Sequence, residues 1–230
     1  MCLSMFVFSA VDTQAKYLTQ IFDPFQVVWM RQVGLFVGVV FLLLWRGTSI
    51  LKTQKVGLQL SRGACAALSA SLFIVGVSYV PLADAVAVTF IAPLLVTIMA
   101  ALLLGEYVGI HRWTAVLIGF AGTLVIIRPG FDSFHPALML PLIAAFLFAG
   151  RQIISRFLSG IDRTETTVAY TAIASTILLS LPLPFVWQNP QTQSEFLLIF
   201  GMASMAAMGE LLVIKALEIA LAVVVSPMQY

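Results

Sequence analysis

Eight stretches of roughly 20 mostly apolar residues follow one another along this chain, and that succession makes a lipid bilayer the solvent in which it folds. They lie near 1–22, 24–45, 58–80, 82–104, 112–128, 137–158, 166–187 and 195–217, and a ninth begins near 219 and runs to Tyr230. The breaks between them carry turn or charge signals: Asp23-Pro24, Arg46-Gly47, Pro81, Gly105-Glu106, Arg128-Pro129-Gly130, Ser159-Gly160 and Asn189-Pro190. Only 10% of the residues are charged, against about 25% in a soluble domain. With 61% hydrophobic residues and a mean hydropathy of +1.05, there is too little polar surface to cover a water-soluble globule. Every backbone amide inside hydrocarbon must be satisfied within its own segment, so the expected fold is an all-α, multi-pass membrane bundle.

Several function classes drop out at this point. No basic stripe interleaved with aromatics suggests a nucleic-acid partner. Cys2 and Cys65 both fall in apolar runs and read as small buried hydrophobes, with neither a disulfide framework nor a paired-cysteine metal site. The histidines, His111 and His135, both sit at loops, and no HExxH or GxSxG motif stands in a span. No catalytic residue, metal or cofactor is expected, and an embedded enzyme or a non-transporting helix-bundle fragment ranks below a transporter. No Walker motif is present, so transport would be secondary, driven by an ion or substrate gradient or by exchange. No removable signal peptide is evident, because the first run carries Asp12 and Lys16.

Lysine and arginine in the connections set orientation. Arg46, Lys52, Lys55 and Arg62 flank the second connection, Arg112 follows the fourth run, Arg156 and Arg163 follow the sixth, and Lys215 ends the eighth. The odd-numbered connections carry Arg128 and little else. The amino terminus and even-numbered connections are therefore expected in the cytoplasm. Trp29, Trp45, Trp113 and Trp187 lie near span ends, as an interfacial belt requires.

The chain also echoes itself. GVSYVPLADAVAVTF (76–90) and ALEIALAVVVSPMQY (216–230) each join a helix end, a very short turn and a helix start rich in small residues. A shift of 140 superposes them, and the same shift lays Lys16 on Arg156 and Asp12 on Gln152. Five helices per copy, an odd number, make two copies antiparallel in the membrane, as in many secondary transporters. The expected division is a first repeat over 1–130 and a second over 136–230. By the same logic the second copy lacks roughly 40 residues, most of helix nine and all of helix ten, so the chain reads as a fragment.

YVPLADAVAVTFIAPLLVTIMAALLLGE (79–106), RWTAVLIGFAGTLVIIRPG (112–130), the opening DTQAKYL (12–18) followed by Gln26 and Arg31, and KALEIALAVVVSPMQY (215–230) resemble the EamA type of the drug/metabolite transporter superfamily. The resemblance implies ten helices in two inverted five-helix EamA repeats, a bacterial inner (plasma) membrane, and uptake or export of small organic metabolites. Its pattern is not met at the carboxyl end, where a second Gly-Glu turn and a last helix are absent. The expected partners are a small metabolite and the lipid bilayer, with a homodimer also considered.

Ionisable groups within spans are costly and usually face the bundle interior or a water-filled cavity. Asp12 and Lys16 share one helix face. Asp12 lies about 15 Å, and Arg31 about 10 Å, from the same side of the membrane. The three are expected to cluster, either as a polar site facing the substrate or as a structural pair tying the first two spans. Arg151 and Glu210 reach equal depth, near 21–22 Å, and read as a structural or gating ion pair. Asp84 is expected to cap the fourth helix, and Glu106 to pair with Arg112. Pro93 removes a backbone hydrogen bond in mid-span, and a kink there would line a cavity with Thr89 and Thr97. Ser226, Pro227, Gln229 and Tyr230 occupy the corresponding part of the ninth span, which would put a cavity between the fourth and ninth helices. The small-residue patches 63–71 and 201–209 read as close helix packing.

Overall fold

The computed structural model describes residues 2–127, 135–221, Val224 and Pro227. Among these residues the regular secondary structure is all helical, joined by turns and short loops. The helices are α1 (Cys2–Leu18), α2 (Pro24–Arg46), α3 (Val56–Tyr79), α4 (Leu82–Thr89), α5 (Ala92–Leu103), α6 (Ile110–Ile127), α7 (Met139–Leu158), α8 (Thr164–Ser180), α9 (Leu183–Val186) and α10 (Gln193–Ile219). Among the described residues, five segments are long and apolar enough to cross a membrane: Pro24–Leu51, Val56–Tyr79, Leu82–Leu103, Pro136–Leu158 and Gln193–Ile219.

The helix boundaries follow from local chemistry. Pro24 occupies the first turn of α2, where its missing N–H costs nothing, and the Asp23 carboxylate accepts from the Phe25 amide at 2.8 Å. Thr192 and Glu195 form a reciprocal capping box at the start of α10. The fourth span is divided, because Pro93 cannot donate to the Thr89 carbonyl, and the helix breaks at Phe90-Ile91 between α4 and α5. Gly105 takes a positive φ of 66° at the end of α5. That lets the chain reverse sharply, with the Glu106 amide donating back to Ala100 O at 3.2 Å.

Four sequence expectations are corrected here. The first helix closes at Leu18, not 22, in a turn where Phe22 N donates to Leu18 O. The seventh run ends its helix at Ser180, since Pro182 and Pro184 supply no donors and allow only the short α9. Arg62 is not a loop charge: α3 begins at Val56, so Arg62 lies well inside it and is completely buried. It therefore leaves the orientation count, which rests on the remaining loop cations. Asp84 lies in the first turn of α4, but no side-chain cap bond forms there. The expectation that Tyr230 lies inside a span falls outside the described residues.

The bundle interior combines an aliphatic core with small and polar residues, while many of the largest apolar side chains face outward. Phe6, Phe41, Leu44, Leu102 and Phe185 are exposed, as a surface dissolved in lipid requires, while Gln26, Gln59, Gln152, Ser175 and Thr171 are buried. Small residues let backbones approach. A Cβ on Gly34 of α2 would collide with the Ala203 backbone of α10, and one on Gly63 of α3 would sit 2.6 Å from Ala174 Cβ of α8. These contacts are related by the shift of 140, since Gly34 corresponds to Ala174 and Gly63 to Ala203. The shift also lays Leu18 on Leu158, Pro24 on Thr164 and Tyr79 on Ile219, ends or starts of α1 and α7, α2 and α8, α3 and α10. Accordingly α1 packs on α10 as α7 packs on α3.

Candidate functional site

A cavity of about 640 Å³ opens among α1, α2, α3, α4, α5 and α7. Its charged lining consists of Asp12, Arg31 and Arg151, and its aromatic lining includes Phe8, Phe73, Phe90 and Phe148. Thr89 and Pro93 reach it at the α4–α5 break. Irregular backbone is tolerated in a span only where it borders protein or a wet cavity, and this break borders the cavity.

Two ion clusters border this space. Asp12 Oδ1 and Arg31 Nη1 lie 3.4 Å apart, and both side chains are partly exposed. The Arg31 guanidinium also sits 5.4 Å from the centre of the Phe8 ring. Lys16 does not join them. Its ammonium turns away to the end of α3, donating to Val77 O and, at 3.2 Å, to Val80 O. The physical reason is demand: the last carbonyls of a helix lack intrahelical partners, and a cation suits the negative end of the dipole. Arg156 does the same at the symmetric place, its Nη1 donating to Leu217 O at 3.3 Å.

The second cluster has three members. Glu210 Oε2 accepts from Arg151 Nη1 at 2.7 Å, and Glu210 Oε1 accepts from Arg62 Nη2 at 2.9 Å. Arg62 further donates to the hydroxyls of Ser155 and Thr171. One carboxylate therefore ties α3, α7 and α10, with α8 held through Thr171. Sequence reading missed Arg62 because the third run was started at 58, which placed it at a boundary. Starting the helix at the Lys55-Val56 junction puts it nearly two turns in. Arg151 also faces the cavity, with its guanidinium 4.8 Å from the Phe148 ring centre.

The other expected site residues fall elsewhere. Thr97 is completely buried and does not line the cavity; its hydroxyl donates to Pro93 O at 2.9 Å, one turn back. Ser226, Gln229 and Tyr230 lie outside the described residues. α1 and α7 contribute much of the cavity wall; the ninth span, expected to face the fourth across it, lies largely outside the described residues. Glu106 pairs with Arg156 at 3.2 Å, because the Gly105 turn carries it toward the end of α7; the Arg112 side chain, its expected partner, lies outside the described ones.

Residues 1–128 match the EamA-like transporter family. The chain belongs to that family. Among curated EamA relatives, the riboflavin transporter of Vibrio cholerae is 33% identical over 97% of this chain and 76% of its own length. The S-adenosylmethionine uptake transporter of Rickettsia prowazekii is 26% identical over 99% of this chain and 77% of its own. The pseudopaline exporter of Pseudomonas aeruginosa is 25% identical over 99% and 80%. A crystal structure at 18% identity shares the fold with a TM-score of 0.74, covering 98% of this chain and 84% of that one. As an EamA protein this chain is a multi-pass membrane transporter of small organic metabolites, not an enzyme.

Proposed function

We propose that the cavity is the substrate site of a secondary transporter, and that Asp12, Arg31, Thr89, Pro93 and Arg151 bind or gate the metabolite. The observation that carries this is the meeting of three charged side chains, a broken helix and five phenyl rings in one cavity at membrane depth. Ionisable groups in that position are costly and mark solute pathways. The cavity size suits a small organic molecule, since sites for such ligands run about 300–1,000 Å³.

In this reading, 1–130 and 136–230 are two inverted halves that rock about the cavity and expose it to each side in turn. The symmetric contacts Gly34–Ala203 and Gly63–Ala174 support it, as does the matching engagement of Val77 and Leu217 carbonyls by Lys16 and Arg156. An odd helix count per half gives the antiparallel arrangement that alternating access uses. The protein resides in a bacterial inner membrane with its amino terminus in the cytoplasm, a reading supported by the loop cations Arg46, Lys52 and Lys55. Relatives named for uptake and for export leave both directions open to assay.

The test is accumulation of labelled riboflavin, labelled S-adenosylmethionine and a wider metabolite panel by proteoliposomes holding the monodisperse protein. The expected result is time-dependent movement of at least one solute, abolished when the driving gradient is collapsed. Movement of none of them would sink the transporter reading for this chain.

A further inference from the structure

Resting on the reading of the cavity as the substrate site, we infer that its ligand is a flat conjugated ring bearing one anionic group, with the anion held at Arg151. Three observations lead there. Phe8 and Phe148 are related by the shift of 140, and both line the cavity. Each carries a guanidinium over its ring, Arg31 at 5.4 Å and Arg151 at 4.8 Å. Those cations come from different sources: Arg31 stands on α2, one helix on from Phe8, while Arg151 stands on α7 one turn from Phe148. The two phenyl–guanidinium stacks thus rest on equivalent phenyl positions without a copied arginine. A planar π-system is the ligand shape that phenyl faces and guanidinium planes both accept.

The second observation is charge. Among the described residues of the two clusters, Arg31, Arg62 and Arg151 stand against Asp12 and Glu210, three positive charges to two negative. Asp12 matches Arg31 alone. Glu210 is shared between Arg62 and Arg151, so the surplus positive charge belongs to that pair. Arg62 is completely enclosed, and only Arg151 of the two borders the cavity. An anion arriving in the cavity therefore meets the surplus at Arg151.

The third observation is an orphaned donor. Arg151 Nε is buried and makes no hydrogen bond, although the residue is only 6% exposed. A buried guanidinium N–H without an acceptor is expensive, and a carboxylate or phosphate oxygen is the acceptor that matches it in both charge and geometry.

The test uses three probes that differ by one property each: 2-naphthoate has ring and charge, 2-naphthamide keeps the ring alone, and cyclohexanecarboxylate keeps the charge alone. Binding to the purified full chain in detergent is measured by titration calorimetry, with ligand-observed magnetic resonance for the weakest probe. Naphthoate is expected to bind about tenfold or more tighter than either of the others, the size of one charge-assisted hydrogen bond. Arg151→Gln should bring naphthoate down to the level of naphthamide, while Arg151→Lys should retain part of the preference. Glu210 keeps Arg62 as a partner in both variants, so folding is not the readout. Phe148→Leu should weaken naphthoate and naphthamide together. Equal binding of naphthoate and naphthamide, equal binding of the two carboxylates, or no binding of naphthoate would each overturn the inference. The transport reading would survive any of these, because it stands on solute movement rather than on these probes.

Discussion

Replacing Glu210 by glutamine is the harshest single test of the buried ion network. The substitution keeps shape and removes one negative charge that two guanidinium groups share at 2.9 and 2.7 Å. Arg62 has no exposed side-chain surface, so water cannot take over. Breaking a buried pair by deleting one partner costs about 3–5 kcal/mol, because the other charge stays buried without compensation. Here two cations are left facing each other, so the upper part of that range applies. For a chain of this size about 1 kcal/mol moves the melting point by roughly 2–4 °C, so the loss should be on the order of 10 °C. Arg151→Gln should cost far less, since the Glu210–Arg62 pair survives it. The assay is tryptophan-fluorescence melting in detergent of Glu210→Gln, Arg151→Gln and the double variant. The double variant should melt above Glu210→Gln alone, because it removes one of the two stranded cations. If Glu210→Gln melts within about 2 °C of the parent, the three residues are not a stabilising network and the reasoning fails.

The close helix crossings make a paired prediction: Gly63→Ala should destabilise by about 1–3 kcal/mol through overpacking, and Ala174→Gly should rescue it, because the clash is with a side-chain methyl. Gly34→Ala meets the Ala203 backbone, so Ala203→Gly should not rescue it; rescue in thermal melts would contradict the geometry. Asp12→Asn combined with Arg31→Gln removes the charges of the 3.4 Å pair while keeping similar shapes; normal insertion with lost transport is expected, and a normal rate would make the pair purely structural. Cysteines placed at Thr48 and Gln191 should react with an impermeant maleimide from opposite sides of the membrane, and labelling from one side alone contradicts the assigned topology.

The spans were legible because hydrocarbon imposes one rule on every segment, and a run of apolar residues is its direct trace. Span ends were legible where proline, glycine or a capping residue stood, as at Asp23-Pro24 and Gly105-Glu106. Matched depth along two helices was enough to suggest Asp12 facing Arg31 and Arg151 facing Glu210, since rise per residue converts sequence into distance. What depth does not encode is which way a long side chain swings. Lys16 could reach either Asp12 or the carbonyls ending α3, and unsatisfied carbonyls won. Arg62 was read as a topogenic loop charge because an arginine near a run boundary ordinarily is one. The aromatic wall was invisible for another reason: Phe8 and Phe148 look like any apolar residue of a span until the cavity shows which faces are not covered.

The interruption at Phe90-Ile91 has a dynamic consequence. Pro93 has no N–H to give the Thr89 carbonyl, so that hydrogen bond is forfeited in every conformation the helix adopts. Tilting α4 against α5 at this joint therefore has one backbone hydrogen bond fewer to strain than elsewhere in the span, the Ile91 amide holding Val88 O at a long 3.3 Å. Elsewhere in the span each bend would strip an amide of its acceptor in a medium without water to replace it. The joint is thus the softest point along this segment, and it borders the cavity through Thr89, Phe90, Ala92 and Pro93. If the cavity is the substrate site proposed above, a solute leaning on these residues would push where the backbone yields most readily, and occupancy of the cavity and the angle between two rigid rods would become a single mechanical variable.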